Sequence, residues 1–210
     1  MMQPTAGQTA EDFWDDLYRG ASRQTRGLQS AMLERFAIDR TPGRALDLGC
    51  AKGDDAIWLA QQGWDVVATD IAQAALDIAA SNAAERGVTD RISFERHDLA
   101  ISFPEGRYDL ISAMFLQTPL DFPKRQVFAQ AYGQLASGGM LLIVTHGSAA
   151  PWSWNKADHP YPTPEEDLAA LGYAASDNQV AFLDAVRRTA HGPNGQTAQV
   201  LDNVIVLVKA

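Results

Sequence analysis

Residues Arg44–Ala60 read RALDLGCAKGDDAIWLA, and this stretch decides the fold. Arg44 to Leu48 is short and apolar apart from Asp47, as a buried strand is. Gly49 and Gly53 bracket a turn containing Cys50 and Ala51, and Ala56, Ile57 and Ala60 then recur as the buried side of a helix. A strand, a small-residue turn and a helix start let a ligand approach bare backbone. The turn is not a dinucleotide fingerprint, because G-x-G-x-x-G is absent and Asp54 and Asp55 open the helix. Acids at that position repel a pyrophosphate and favour a ligand carrying an ammonium or sulfonium group; alternatively they only stabilise the helix start.

Outward from the turn, strands and helices alternate. Strands are expected at Ala45–Leu48, Trp64–Thr69, Arg91–His97, Tyr108–Phe115 and Met140–Thr145. Helices are expected at Asp54–Gln62, Ala72–Arg86 and Lys124–Ala136. This order implies right-handed crossovers and a parallel sheet covered on both faces. Before the first strand, helices are expected at Glu11–Tyr18, bearing Phe13, Trp14 and Tyr18, and at Gln24–Ala37, with Leu28, Ala31, Met32 and Phe36 on one face. After the fifth strand, Thr163-Pro164-Glu165-Glu166 is a helix start, and Gly172 its stop. Gln179–Ala190 and Leu201–Val208 read as an antiparallel pair around the turn His191-Gly192-Pro193-Asn194-Gly195.

Composition limits the function. The 210 residues suit one domain, and 46% hydrophobic residues is the value of an ordinary globular chain. A net charge of −9 argues against nucleic acid or an anionic membrane as the main partner. Cys50 is the only cysteine, which excludes an internal disulfide and is compatible with a reducing cytoplasm. No apolar run approaches the roughly 18 residues of a membrane span. The first ten residues lack a secretory apolar core. A cytoplasmic chain, monomeric or homodimeric, is expected.

Two further acids stand where sheet strands end. Asp70 closes the second strand about twenty residues after the turn, the spacing at which a carboxylate accepts ribose hydroxyls, with Ile71 beside it for an adenine face; its alternative is a helix cap. Asp98, followed by Leu99, can accept from an adenine amino group or be a solvated loop acid. Gln117 and His146 follow the fourth and fifth strands, at the sheet edge where open α/β folds bind ligands. With Trp152, Trp154 and His159 they are the candidates for an acceptor side. His146 is a candidate base or a hydrogen-bonding loop residue, and the tryptophans line a pocket or pack a loop. His97 and His191 are expected to be structural, and no cluster has metal-ligand spacing.

The ordered set DLGCAKGD, ATDIAQAAL, ERHDL, YDLISAMFLQ and LASGGMLLIV resembles the class I S-adenosylmethionine-dependent methyltransferases. FWDDLY near the N-terminus is similar to a segment of small-molecule members related to tellurite-resistance and thiopurine-type enzymes. The resemblance implies a Rossmann-like three-layer α/β sandwich: a seven-stranded, mostly parallel sheet with an antiparallel last strand. It implies a single domain over 41–210, with helices in 1–40 forming a lid over the cofactor. Its cofactor is S-adenosylmethionine and its partner a small-molecule acceptor, methylated by in-line displacement. Asp47 and the Gly49 backbone are placed near the methionine portion, Asp70 on the ribose, Ile71 on adenine, and Asp98 with Leu99 on the adenine edge. Ala113 and Phe115 are placed in the methyl-transfer region, with Trp14 and Tyr18 closing over the cofactor. Ala51 departs from the family's glycine, and Ser137-Gly138-Gly139 from its Pro-Gly-Gly. A non-catalytic protein binding S-adenosylmethionine or its demethylated product is one alternative, and an NAD-linked oxidoreductase another.

Overall fold

The computed structural model describes residues 4–22, 25, 27–153, 160–192 and 194–210. The chain runs α1 (Ala10–Arg19), α2 (Ala31–Ala37), β1 (Arg44–Leu48), α3 (Asp54–Gln61), β2 (Asp65–Asp70), α4 (Gln73–Glu85), β3 (Ile92–Arg96), β4 (Tyr108–Met114), α5 (Lys124–Gly133), β5 (Leu135–His146), α6 (Pro164–Leu171), β6 (Val180–His191) and β7 (Thr197–Val208). A single 3-10 turn, Thr89–Arg91, precedes β3. The seven strands form one sheet in the order β3-β2-β1-β4-β5-β7-β6. Pairs from β3 to β5 are parallel, and β7 lies antiparallel between β5 and β6. Together with its helices this is the Rossmann-like architecture implied by the sequence.

Alternation along the central strands sends side chains into two cores. Ala45, Leu110 and Leu142 face one core with Ile57 and Leu59 of α3, Leu76 of α4 and Leu33 of α2. Leu46, Ile111 and Leu141 face the other, with Val127 and Phe128 of α5 and Leu168 and Leu171 of α6. Strands buried on both faces carry near-continuous apolar residues, which is why Met140–Val144 shows no polar alternation. Thr163 caps α6 in a full capping box with Glu166, and Gly172 ends it in the left-handed conformation.

Several expected boundaries move, among them the start of β7, at Thr197 rather than Leu201. The second helix starts at Ala31 rather than Gln24, which lies outside the described residues, and Leu28 is exposed. The fifth helix stops at Gly133 rather than Ala136, because the chain enters β5 at Leu135. β5 begins before the glycine pair: Leu135 pairs with Tyr108, and the register resumes only at Met140 opposite Leu110. Gly139 fills this bulge for steric reasons, since a Cβ there would meet the carbonyl oxygens of Ala136 and Tyr108 at 2.8 and 2.9 Å.

α1 is firmly attached. Phe13 is fully buried where α1 meets α4. Asp15 Oδ1 accepts from the Ala74 amide at 2.9 Å, so an acid from one helix satisfies an orphan donor in the first turn of another. Glu11 pairs with Arg96. Among the described residues no helix is long and apolar enough to cross a membrane.

Candidate functional site

A cavity of about 330 Å³ opens at the carboxyl ends of β1, β2 and β4. Of the residues singled out in the sequence, Trp14, Tyr18, Gly49, Ala51, Asp70, Ile71, Asp98, Leu99, Phe115 and Gln117 line it. The strand ends supply the floor, and α1 supplies one wall through Trp14 and Tyr18, whose rings lie 6.4 Å apart. The backbone turns sharply here: Gly49 and Gly53 have φ of 73° and 84°, and Ala51 has φ of 50°. Ala51 thus does more than add a methyl where the family has glycine. It holds an alanine in the left-handed region, at about 1 kcal/mol of strain.

Asp70 organises the turn. Its Oδ2 accepts from the Ala51 amide and its Oδ1 from the Ala72 amide, each at 3.0 Å. Ala72 is the residue that caps α4, so Asp70 is not itself the cap. Burial raises the Asp70 pKa, against which these amide hydrogen bonds work. Two lone pairs are engaged by the backbone, leaving acceptor capacity on a carboxylate at the cavity wall.

Asp47 lies behind this wall, not in it. It is buried, Oδ1 accepts from Ser112 Oγ at 3.0 Å, and Oδ2 has no hydrogen-bond partner among the described residues. Burial, with the negative charge of Asp55 adding to it, pushes the Asp47 pKa up to about 8. A folded-state pKa above the unfolded value favours the protonated fold. The associated stability is therefore complete below pH 3.8 and is lost as pH rises through about 8. Thermal stability of the ligand-free protein is expected to decline from weakly acidic to weakly alkaline pH. Asp47→Asn, which cannot ionise, is expected to flatten that decline in melting curves taken across the same pH range.

For Asp54 and Asp55 the structure favours the second of the two readings, a role at the helix start. Neither lines the cavity. Asp54 Oδ1 accepts from Thr25 Oγ1 at 2.5 Å, and Asp55 Oδ1 from the Ser30 amide at 2.6 Å. Both acids fasten the segment before α2 to the start of α3, so they do not face a cationic ligand. Cys50, Gly53 and Ala113 are also outside the wall. Ala113 is fully buried in the core under α5, and its neighbour Met114 reaches the cavity. Burial, then the charge of Asp70, pushes the Cys50 thiol up, leaving it a protonated core group.

The sequence reading missed other parts of the wall. Ala10, Met114, Leu116, Thr118 and Phe122 contribute to it, and His97, expected to be structural, lines it while bonded to Ser102 and Glu95. A second, larger cavity of about 650 Å³ adjoins the first, sharing Gln117 and Thr118. His146, Trp152 and His191 line this one. Trp154 and His159 lie outside the described residues. No cluster of metal-ligating side chains occurs among the described residues.

Residues 21–181 match a family model described as a methyltransferase domain. The chain belongs to this methyltransferase family. This sets it among methyl-transferring rather than NAD-linked proteins, and its fold is similar to that of the S-adenosylmethionine-dependent methyltransferase SibL, with a TM-score of 0.58 and 17% identity, covering 85% of this chain and 53% of the other. The chain is 28% identical to the 2-heptyl-1-hydroxyquinolin-4(1H)-one methyltransferase of Mycobacteroides abscessus, over 78% of this chain and 76% of that protein. Its fold is similar to a structure described under the conversion of a disulfide bond into a thioacetal group during echinomycin biosynthesis. That match has a TM-score of 0.71 and 21% identity, covering 95% of this chain and 92% of the other. It is also similar to TehB from Haemophilus influenzae, with a TM-score of 0.66, 17% identity, and coverage of 95% and 67%.

Proposed function

We propose that this methyltransferase binds S-adenosylmethionine in the 330 Å³ cavity and methylates a small molecule entering from the adjoining one. The observation that carries the reading is Asp70, a carboxylate held at the end of β2 by two backbone amides with acceptor capacity left at the cavity wall. Asp70 receives the ribose hydroxyls, and Ile71 and Leu99 hold the adenine between apolar surfaces. Asp98 accepts from the adenine amino group, and the Gly49 backbone meets the methionine portion. Trp14 and Tyr18 cover the cofactor as the lid of the N-terminal segment. Asp47, behind the turn with Oδ2 unpartnered among the described residues, lies on the side of the methionine portion. When bound, the cofactor supplies an electrophilic methyl group on a positive sulfur, and alignment of the acceptor provides much of the acceleration.

A small acceptor is favoured by the second cavity of about 650 Å³, by the net charge of −9 and by the relative named for a hydroxyquinolone. Calorimetry with S-adenosylmethionine, S-adenosylhomocysteine and NAD tests the donor. The first two are expected to bind with Kd of about 10 μM or tighter, near −7 kcal/mol, and NAD not at all. Absence of binding by S-adenosylmethionine would overturn the reading. Mass spectrometry with 2-heptyl-1-hydroxyquinolin-4(1H)-one as first acceptor then reads methyl transfer.

A further inference from the structure

We propose that His146 is the general base of the second cavity and that the acceptor is a phenol-like or enol-like hydroxyl compound. This rests on the methyltransferase reading above and names the acceptor chemistry of the same enzyme.

Four strands place one row of side chains across the sheet edge. Phe115 follows β4, and its amide is bonded to the Val144 carbonyl of β5. His146 ends β5 directly opposite Asp202 of β7. Arg188 of β6 reaches Asp202 with two nitrogens, Nε at 2.5 Å and Nη2 at 3.0 Å. The His146 ring stacks on Phe115, centroids 4.5 Å apart and planes 25° from parallel, while the Arg188 guanidinium sits 5.6 Å from the same Phe115 ring. Phe115 holds this position with φ of 56°, a conformation that bulky residues rarely adopt.

The stack separates the two cavities. Phe115 lines the cofactor cavity and His146 lines the other. An imidazole there faces incoming acceptor from the side of the methyl donor. Among the described residues its ring nitrogens have no hydrogen-bond partner. Charged and titratable groups around it are Asp202, Arg188, Lys124, Asp167, His191 and Tyr161. Asp202 is buried and its carboxylate is engaged by Arg188. Asp167 accepts from Thr145 and Asn203. Burial lowers the His146 pKa below the ordinary 6.5; Asp202 opposes this and Arg188 adds to it. The ring is therefore neutral, and basic, at pH 7.

The chemistry selects the acceptor. A neutral imidazole of lowered pKa is a weak base, so proton transfer to it is easier the more acidic the acceptor hydroxyl already is. A phenol, an enol or an N-hydroxyl is therefore favoured over an aliphatic alcohol. The acceptor oxygen bonds to the methyl carbon as the carbon–sulfur bond breaks, the bonding pair staying on sulfur to give neutral S-adenosylhomocysteine. The hydroxyl proton passes to His146 and from there to solvent. Arg188, on the same cavity wall, favours the negative charge that builds on the oxygen.

The test compares wild type with His146→Gln on phenol, 4-nitrophenol, thiophenol and benzyl alcohol, following S-adenosylhomocysteine formation against pH. Wild type is expected to methylate phenol with kcat/KM rising through a pKa below 6.5 and levelling above it. His146→Gln is expected to lose about 100-fold on phenol and far less on 4-nitrophenol and thiophenol, which ionise without help. Benzyl alcohol is expected to be a poor acceptor for both. An equal loss on every acceptor, no loss on phenol, or no turnover of any phenol by wild type would each overturn the proposal. Calorimetry of both proteins with S-adenosylmethionine separates the levels: intact donor binding with any of those results refutes the base alone, whereas absent binding by wild type refutes the methyltransferase site.

Discussion

Asp70→Asn is expected to weaken S-adenosylmethionine binding roughly 100-fold, about 2.7 kcal/mol, with little change in fold. The carboxylate presents acceptors only, and a ribose presents two hydroxyl donors. An asparagine side chain offers one acceptor oxygen and turns an NH₂ towards a donor, so one charge-assisted bond is lost and a donor clash replaces it. The amide oxygen can still accept from Ala51 or Ala72, but not from both as the carboxylate does. A moderate fall in melting temperature accompanies the change, and calorimetry at a temperature where the variant stays folded isolates the binding effect. Affinity within threefold of wild type would remove Asp70 from the ribose.

Phe13→Ala is expected to cost about 3 kcal/mol of stability, in the range for truncating a fully buried aromatic. In a chain of this size that lowers the melting temperature by roughly 6–12 °C. Phe13 holds α1 against α4, and its ring meets Trp14 edge-on at 5.3 Å. Loosening α1 also displaces Trp14 and Tyr18 from the cavity, so donor affinity is expected to fall about tenfold, or 1.4 kcal/mol. A variant with a lower melting temperature and unchanged affinity would show that α1 stabilises the fold without serving the cofactor.

What the sequence disclosed follows from the range over which each feature is set. The β1 turn, Asp70 and Asp98 are legible because strand, turn and helix start lie within a few residues of one another. The sequence left Asp54 and Asp55 open between a ligand and the helix start because their partners, Thr25 and Ser30, come from 29 and 25 residues upstream. Charges at a helix start look like a ligand site when the donors that satisfy them are remote in the chain. Ala113, placed near the methyl-transfer region by the resemblance alone, is instead a core residue, and the next residue, Met114, lines the cavity, since successive strand residues point to opposite faces. The Asp15 bond to Ala74 spans 59 residues and leaves no local signature. The Phe115–His146 stack has none either: it arises from sheet order, which brings the end of β4 beside β5.

That sheet order has a consequence for how such an enzyme can diversify. The ends of β1, β2 and β3, built by short consecutive units, carry the Gly49, Asp70 and Asp98 positions. On the other half, β5, β6 and β7 with the segment before α6 contribute to the second cavity, and among the described residues only Gln117 and Thr118 line both. On the function proposed above, donor recognition and acceptor recognition are therefore separately inheritable. Substitutions along β6, β7 and the loop after β5 can exchange one acceptor for another while the donor half stays as it is.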